Sequence, residues 1–307
     1  MRLDQLVERA DQLPVMSPVH ARLMRMIREA DVSAEALSEV IAEDPSLTAQ
    51  VLRLVNSAVY GLPKKVGTVS QAVLLLGFDT VATQVLERAR TALKEPADRA
   101  GPLDFKAFWQ HAVAVAVGAR TLARRVEHPN DEALFVAGLL HDVGRILMAQ
   151  FMPDDLARAM DEAARLRTPI VRVERETFGF THCRLGARLA ERWDLPDLVV
   201  DAVAFHHAPD LTERHNLETR IVQAANVLAK AMGLGRSGDD RPGSIPPETV
   251  ELLRLEAAEL EELMGEIVAE FNEISASVLA VLADDHERSP KNMVKGPAKT
   301  ADTMHDW

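Results

Sequence analysis

The chain has 307 residues, with 47 acidic against 35 basic side chains and a formal charge of -12, which argues against a sequence-blind grip on nucleic acid or on an acidic membrane face. Its single cysteine, Cys183, excludes an intrachain disulfide and reads as a small apolar filler in a reducing compartment. No uncharged apolar run approaches the roughly 20 residues of a membrane span, and the opening residues alternate charge with apolar groups instead of forming an export signal, so a cytoplasmic, stand-alone module is expected.

Helical spacing dominates and no segment offers several period-two strands, which sets the expected fold class as all-α: a multi-helix bundle with an N-terminal helical subdomain. Ser17-Pro18 sets a capping hydroxyl before a first-turn proline, ahead of Leu23, Met26 and Ile27. Asp44-Pro45 repeats the device ahead of Leu47, Val51, Leu52 and Leu54, and Ser33 caps a short helix between the two. A break follows at Tyr60-Gly61-Leu62-Pro63. The adjoining Lys64-Lys65 offers either an anion contact or a solvated loop. Asn56 and Ser57, at a helix end, satisfy backbone groups or touch a ligand. Ser70 then starts an apolar segment ending at Leu76-Gly77, and Asp79 opens a helix to about Leu93. Residues 94–102, polar with two prolines and a glycine, are a connection, and a subdomain boundary is placed between residues 96 and 97.

Beyond it, helices are expected over 104–126, 131–151, 153–166, 169–178, 182–193, 196–207 and 217–232, forming a core unit of residues 97–235. On periodicity alone, Val69 to Leu76 or Val199 to Val203 also reads as a short buried strand. Residues 233–247 have the Gly, Pro, Ser and Asp composition of a loop. From Glu248 to about Leu282 runs one acidic amphipathic pattern, with Leu252, Leu255, Leu260, Leu263, Ile267, Phe271, Ile274 and Val278 on its apolar face. That face packs on its own domain or makes a homodimer or partner helix. Residues 284–307, nearly without apolar groups, read as a disordered tail.

Chemistry concentrates in histidines and one aspartate. His141 and Asp142 interrupt the apolar run Leu139-Leu140-His141-Asp142-Val143, where neither belongs without a partner. His111, His182, His206 and His207 fall where neighbouring helices could bring them alongside. Imidazoles and carboxylates on facing helices bind divalent transition ions, and the count suits one or two ions of Fe, Mn or Zn. Each histidine singly also reads as a core or helix-end residue, and the spacing of the set favours metal. Asp142 and Arg145 are the candidate catalytic residues; Arg145 could pair with a phosphate, but a solvated or aspartate-paired arginine is the favoured reading.

Several spaced motifs carry a family resemblance. Asp44-Pro45-Ser46-Leu47-Thr48, Leu52-Arg53-Leu54-Val55-Asn56-Ser57-Ala58, Tyr60-Gly61 and Ala72-Val73-Leu74-Leu75-Leu76-Gly77 resemble the opening of the HDOD (HD-related output domain) family. So do Ala137-Gly138-Leu139-Leu140-His141-Asp142-Val143-Gly144-Arg145, Glu176-Thr177-Phe178-Gly179 with His182, and Trp193-Asp194-Leu195-Pro196 before His206-His207. The resemblance implies an HD-domain-like helical fold, related to metal-dependent phosphohydrolases and used in bacterial signalling. It implies metal ligands at His111, His141, Asp142, His182, His206 and His207. Two departures follow. The late aspartate of the active relatives corresponds to Asn226, which lacks the negative charge that holds a cation. After His207 stands Ala208-Pro209-Asp210-Leu211 in place of the Gly-Tyr-Pro signature of the cyclic-dinucleotide phosphodiesterases.

Three functions compete on this reading. The first is a regulatory module acting through contacts with signalling proteins, its HD site degenerate or structural. The second is a metal-dependent phosphohydrolase acting on a nucleotide or cyclic dinucleotide. The third is binding of a nucleotide second messenger without cleavage.

Overall fold

The computed structural model describes residues 2–9, 34–77, 80, 81, 83, 101–239 and 241–287, and every regular element among them is a helix. The helix opened by Ser17-Pro18, the cap Ser33, the helix from Asp79, most of the 94–102 connection with its subdomain boundary, and the tail beyond Glu287 lie outside the described residues.

After the short α1 (Leu3–Val7), helices α2 (Ala34–Ala42), α3 (Pro45–Val55) and α4 (Val69–Leu76) pack on one another. Helix α3 starts as its sequence dictates: Asp44 accepts a hydrogen bond from the Leu47 amide at 2.8 Å, and Pro45 occupies the first turn, where no donor is needed. Helix α4 is capped by Thr68, which accepts from Gln71 N at 3.2 Å, and not opened by Ser70. Both segments that also read as strands, 69–76 and 199–203, are helical, with Val69, Ala72, Val73, Val199, Ala202 and Val203 buried while Leu74 and Leu75 are exposed. The Asn56 amide donates to Val66 O at 2.9 Å and its Oδ1 accepts from Val66 N at 2.7 Å, clamping the intervening turn. Lys65 pairs with Asp194 at 2.8 Å and donates to Leu195 O. It ties the N-terminal helices to the core.

Helix α5 (Phe105–Arg125) is the axis of the core. Every residue from His111 to Ala119 is buried, because α6 (Asp131–Leu140), α12 (Asn216–Ala231) and α14 (Leu260–Glu287) all pack on it. A helix apolar on all sides is stable only in such a position.

The single helix expected over 131–151 is two. Helix α6 ends at Leu140, and α7 (Val143–Phe151) begins after a turn at His141-Asp142. Adjacent residues on a straight helix point about 100° apart, so two neighbouring side chains reach one centre only if the chain turns between them. The 131–151 stretch has the length and apolar composition of a membrane span, yet 89% of its most apolar 18-residue window is buried inside the fold, the position of a core element.

Helices α8 (Pro153–Leu166), α9 (Ile170–Phe178), α10 (His182–Arg192) and α11 (Asp197–Phe205) follow close to the expected boundaries, with α10 between α7 and α11. The C-terminal pattern is again divided. Helix α13 (Pro247–Leu252) stops, Arg254 turns the chain at φ 51°, and α14 begins at Leu260. Leu263, Ile267 and Phe271 are buried, whereas the expected face residue Leu252 is exposed and Leu253 is buried in its place. Helix α14 reaches Glu287, past the expected start of the tail.

Candidate metal centre

Asp142 stands in the middle of the histidine set. Its Oδ2 lies 3.3 Å from His141 Nε2, and its Oδ1 lies 3.0 Å from His182 Nε2 and 3.7 Å from His206 Nε2. The His111 ring is centred 5.4 Å from that of His141, and the His207 ring 4.3 Å from that of His206. The structure thus brings all six predicted residues together, supplied by α5, the α6–α7 turn, α10 and the end of α11. They form two adjoining groups, His111 with His141 and Asp142, and His182 with His206, His207 and Cys183. Within each, one donor atom per residue lies within 4.8 Å of the others.

Close backbone approach makes the convergence possible. Helix α7 crosses the start of α10 at Gly144, where a Cβ would collide with the carbonyl oxygen of His182. A second glycine, Gly235 at φ 74°, lets the loop after α12 lie flat on α5; a Cβ there would strike the His111 amide. The next residue, Arg236, donates its N–H to Ala107 O at 2.8 Å.

Three rings are held in one tautomer by their neighbours. His141 Nδ1 is 2.7 Å from Gly138 O, and His206 Nδ1 is 3.0 Å from Val203 O. His182 Nδ1 is 2.7 Å from Glu174 Oε2. Carbonyl and carboxylate oxygens only accept, so each Nδ1 carries a hydrogen, and each inward-facing Nε2 is the atom left for a metal ion. Both ring nitrogens of His111, Nε2 of His141 and of His207, and both oxygens of Asp142 are buried without an aligned hydrogen-bond partner. So many inward acceptors are costly unless a cation satisfies them, and imidazole nitrogens backed by carbonyl or carboxylate acceptors are the arrangement that holds a transition ion. The residues fit such an ion.

Without an ion, the electrostatics divide the set. Burial alone would raise the Asp142 carboxyl, but Arg145, His141 and His182 hold it well below the usual carboxylate range. Burial drives His111 well down and His141 down, keeping both neutral. His206 moves the other way: against burial, Cys183 and Asp142 push it up to about 9.

Arg145 is buried. Its Nη1 donates to Ser237 O at 2.7 Å, its Nε lies 3.4 Å from Asp142 Oδ1, and its Nη2 lies 3.4 Å from His182 Nε2. It is neither solvated nor free of a carboxylate, and the aspartate-paired reading from sequence describes it. A cavity of about 410 Å³ reaches His206 and His207 from outside and is lined by Gln223, Asn226, Lys230, Arg167 and Arg241 among others. The Oδ1 of Asn226 is buried there without a partner.

Three contributors escape the sequence reading. Cys183, taken as filler, has its Sγ 3.3 Å from His182 Nε2 and 4.0 Å from His206 Nε2. Glu174 orients His182, and its signal is a carboxylate on the buried stripe it shares with Ile170 and Val173. Ser237 lies in a loop whose composition says nothing of its contacts.

An all-α bundle with inward histidines and an aspartate at a helix-breaking turn is an HD-type helical domain. The chain belongs to the HDOD family, whose domain model matches residues 13–209, more than half of the sequence. The crystal structure of the MmoQ response regulator of Methylococcus capsulatus is similar to it, with a TM-score of 0.67 and 26% identity over 82% of this chain and 97% of that one. An uncharacterized protein of Treponema pallidum is 24% identical over 257 residues, 82% of this chain and 48% of its own length. Ribonuclease Y of Thermus thermophilus is 35% identical over 124 residues, 40% of this chain and 15% of its own. The chain therefore spans about half, or much less, of these two relatives.

Proposed function

We propose that this protein is a signal-transduction module that acts through protein contacts, and that its histidine and aspartate cluster holds one divalent ion as a fixed structural centre, not as a hydrolytic one. The observation that carries this reading is Arg145. A guanidinium is always charged, and this one sits 3.4 Å from both Asp142 Oδ1 and His182 Nε2. Asp142, the carboxylate at the centre of the set, is already paired with that fixed charge, which leaves less negative charge to balance the two metal ions that clamp a phosphoryl group. Asn226 removes one more negative charge from the cavity wall.

Two further observations support a partner-binding role. The response regulator MmoQ shares the architecture along nearly its whole chain. A groove of about 820 Å³ runs between the N-terminal helices, α6 and α14, with Val69, Val73 and Phe135 among its apolar lining and Glu35, Glu39, Glu132 and Glu273 among its acidic residues. Such a groove suits the apolar side of a basic partner segment.

Metal-dependent phosphohydrolysis is the second reading, favoured by Lys230, Arg167 and Arg241 around the cavity that reaches His206 and His207 and by the likeness to a ribonuclease. One experiment separates the two. The purified protein, assayed for bound metal and loaded with Fe, Mn or Zn in turn, is expected to hold about one ion per chain and to leave nucleotides and cyclic dinucleotides intact. Turnover that His141→Ala abolishes would establish the enzyme instead.

A further inference from the structure

Cys183 is the only cysteine in the chain, and it is buried in the first turn of α10 beside His182. Its Sγ lies 3.3 Å from His182 Nε2 and 4.0 Å from His206 Nε2. With Zn–S near 2.3 Å and Zn–N near 2.1 Å, sulfur and nitrogen ligands of a tetrahedral ion stand about 3.5 Å apart, between those two separations. His207 completes the group, its ring 4.3 Å from that of His206 and 5.3 Å from that of His182. Its Nε2 is buried and unpartnered. Two of the imidazoles are already fixed with Nε2 facing the sulfur, His182 by Glu174 and His206 by Val203 O.

We propose that Cys183 is a metal ligand, forming with His182, His206 and His207 a three-nitrogen, one-sulfur position that selects a thiophilic ion, Zn²⁺ above all, over Mn²⁺ or Mg²⁺. The family resemblance implies only histidine and aspartate ligands. The thiolate supplies, beside the same His206 and His207 that Asn226 faces across the cavity, a negative charge that the amide of Asn226 lacks. It also gives Asp142 Oδ1, 3.0 Å from His182 Nε2, the place of a neighbouring anion and not that of the sole one. This inference rests on the reading of the cluster as a metal centre.

Cobalt tests it without any assay of activity. The full chain is stripped with a chelator, kept reduced with a phosphine in place of a thiol, and titrated with Co²⁺. Cys183 being the only thiol, a near-ultraviolet thiolate-to-cobalt charge-transfer band saturating at one equivalent is expected from the unaltered protein alone. Cys183→Ser should lose that band, keep weaker visible absorption from histidine-bound cobalt, and bind Zn²⁺ about tenfold or more less tightly. Visible cobalt bands with no charge-transfer band in the unaltered chain would remove Cys183 from the ligand set while leaving the metal centre in place. Failure to bind Co²⁺ at all would overturn both.

Discussion

Glu174 holds His182 twice: its carboxylate accepts the backbone N–H of His182 at 2.9 Å and lies 2.7 Å from Nδ1 of the same residue. One side chain therefore takes up a first-turn N–H of helix α10 and orients the imidazole that opens it. A carboxylate at a helix N-terminus also meets the positive end of the helix dipole.

Removing that hold should loosen the ion before it loosens the fold. Glu174→Gln is expected to lower metal affinity about 10–100-fold, the usual effect of losing a partner behind a ligating histidine, as read by chelator competition. Glu174→Ala breaks a fully buried charged pair and should cost about 3–5 kcal/mol in denaturant unfolding.

Gly144 carries the contact between α7 and α10. Gly144→Ala forces those backbones apart and is expected to destabilise the protein by about 2 kcal/mol or more, with loss of bound metal. Gly265, exposed on α14 with nothing near its missing Cβ, supplies the contrast. Gly265→Ala should be stabilising by about 0.5–1 kcal/mol, and equal effects at the two sites in urea unfolding would show that the close approach is unimportant.

Asn226→Asp returns a carboxylate to the cavity wall. It should raise metal affinity at least about tenfold, since an anionic oxygen replaces a neutral one beside the cluster, and should destabilise the stripped protein, where the new charge is buried without a partner. Titration calorimetry and thermal unfolding of both forms check the two signs. An unchanged affinity would place residue 226 outside the ion's reach.

His206 gives the pH dependence a definite sign. Without an ion it sits at about 9, above the unfolded value near 6.5. Its protonated form therefore adds stability that is complete below about pH 6.5 and is lost as pH rises through about 9. A metal ion needs the same Nε2 free of its proton, so apparent Zn²⁺ affinity should climb from about pH 6 to about pH 9 and level off above, with proton release on binding. A flat profile across that range would remove His206 from the ligands.

The helical fold is legible because apolar periodicity and capping residues are local: Asp44, ahead of Pro45, caps α3 as its position announces. The ligand cluster is legible for a different reason, that His141 and Asp142 have no business in an apolar run. What escapes is set by contacts distant in sequence. Nothing in the apolar pattern of 131–151 records the turn that aims two neighbours at one centre. Nothing at Lys65 announces Asp194, which lies 2.8 Å from it in the folded chain. Cys183 looks like any small buried residue until His206, on another helix, arrives beside it.

The turn at His141-Asp142 has one more effect. Gly138, in the last turn of α6, has a carbonyl with no amide four residues on to receive, and that oxygen is the one set against His141 Nδ1. The end of the helix thus supplies the acceptor that decides which nitrogen of the ring is bare. A mutation that straightened the bend would not merely misplace an imidazole; it would also hand its proton a different address, so shape and chemical state at this spot can only be inherited together.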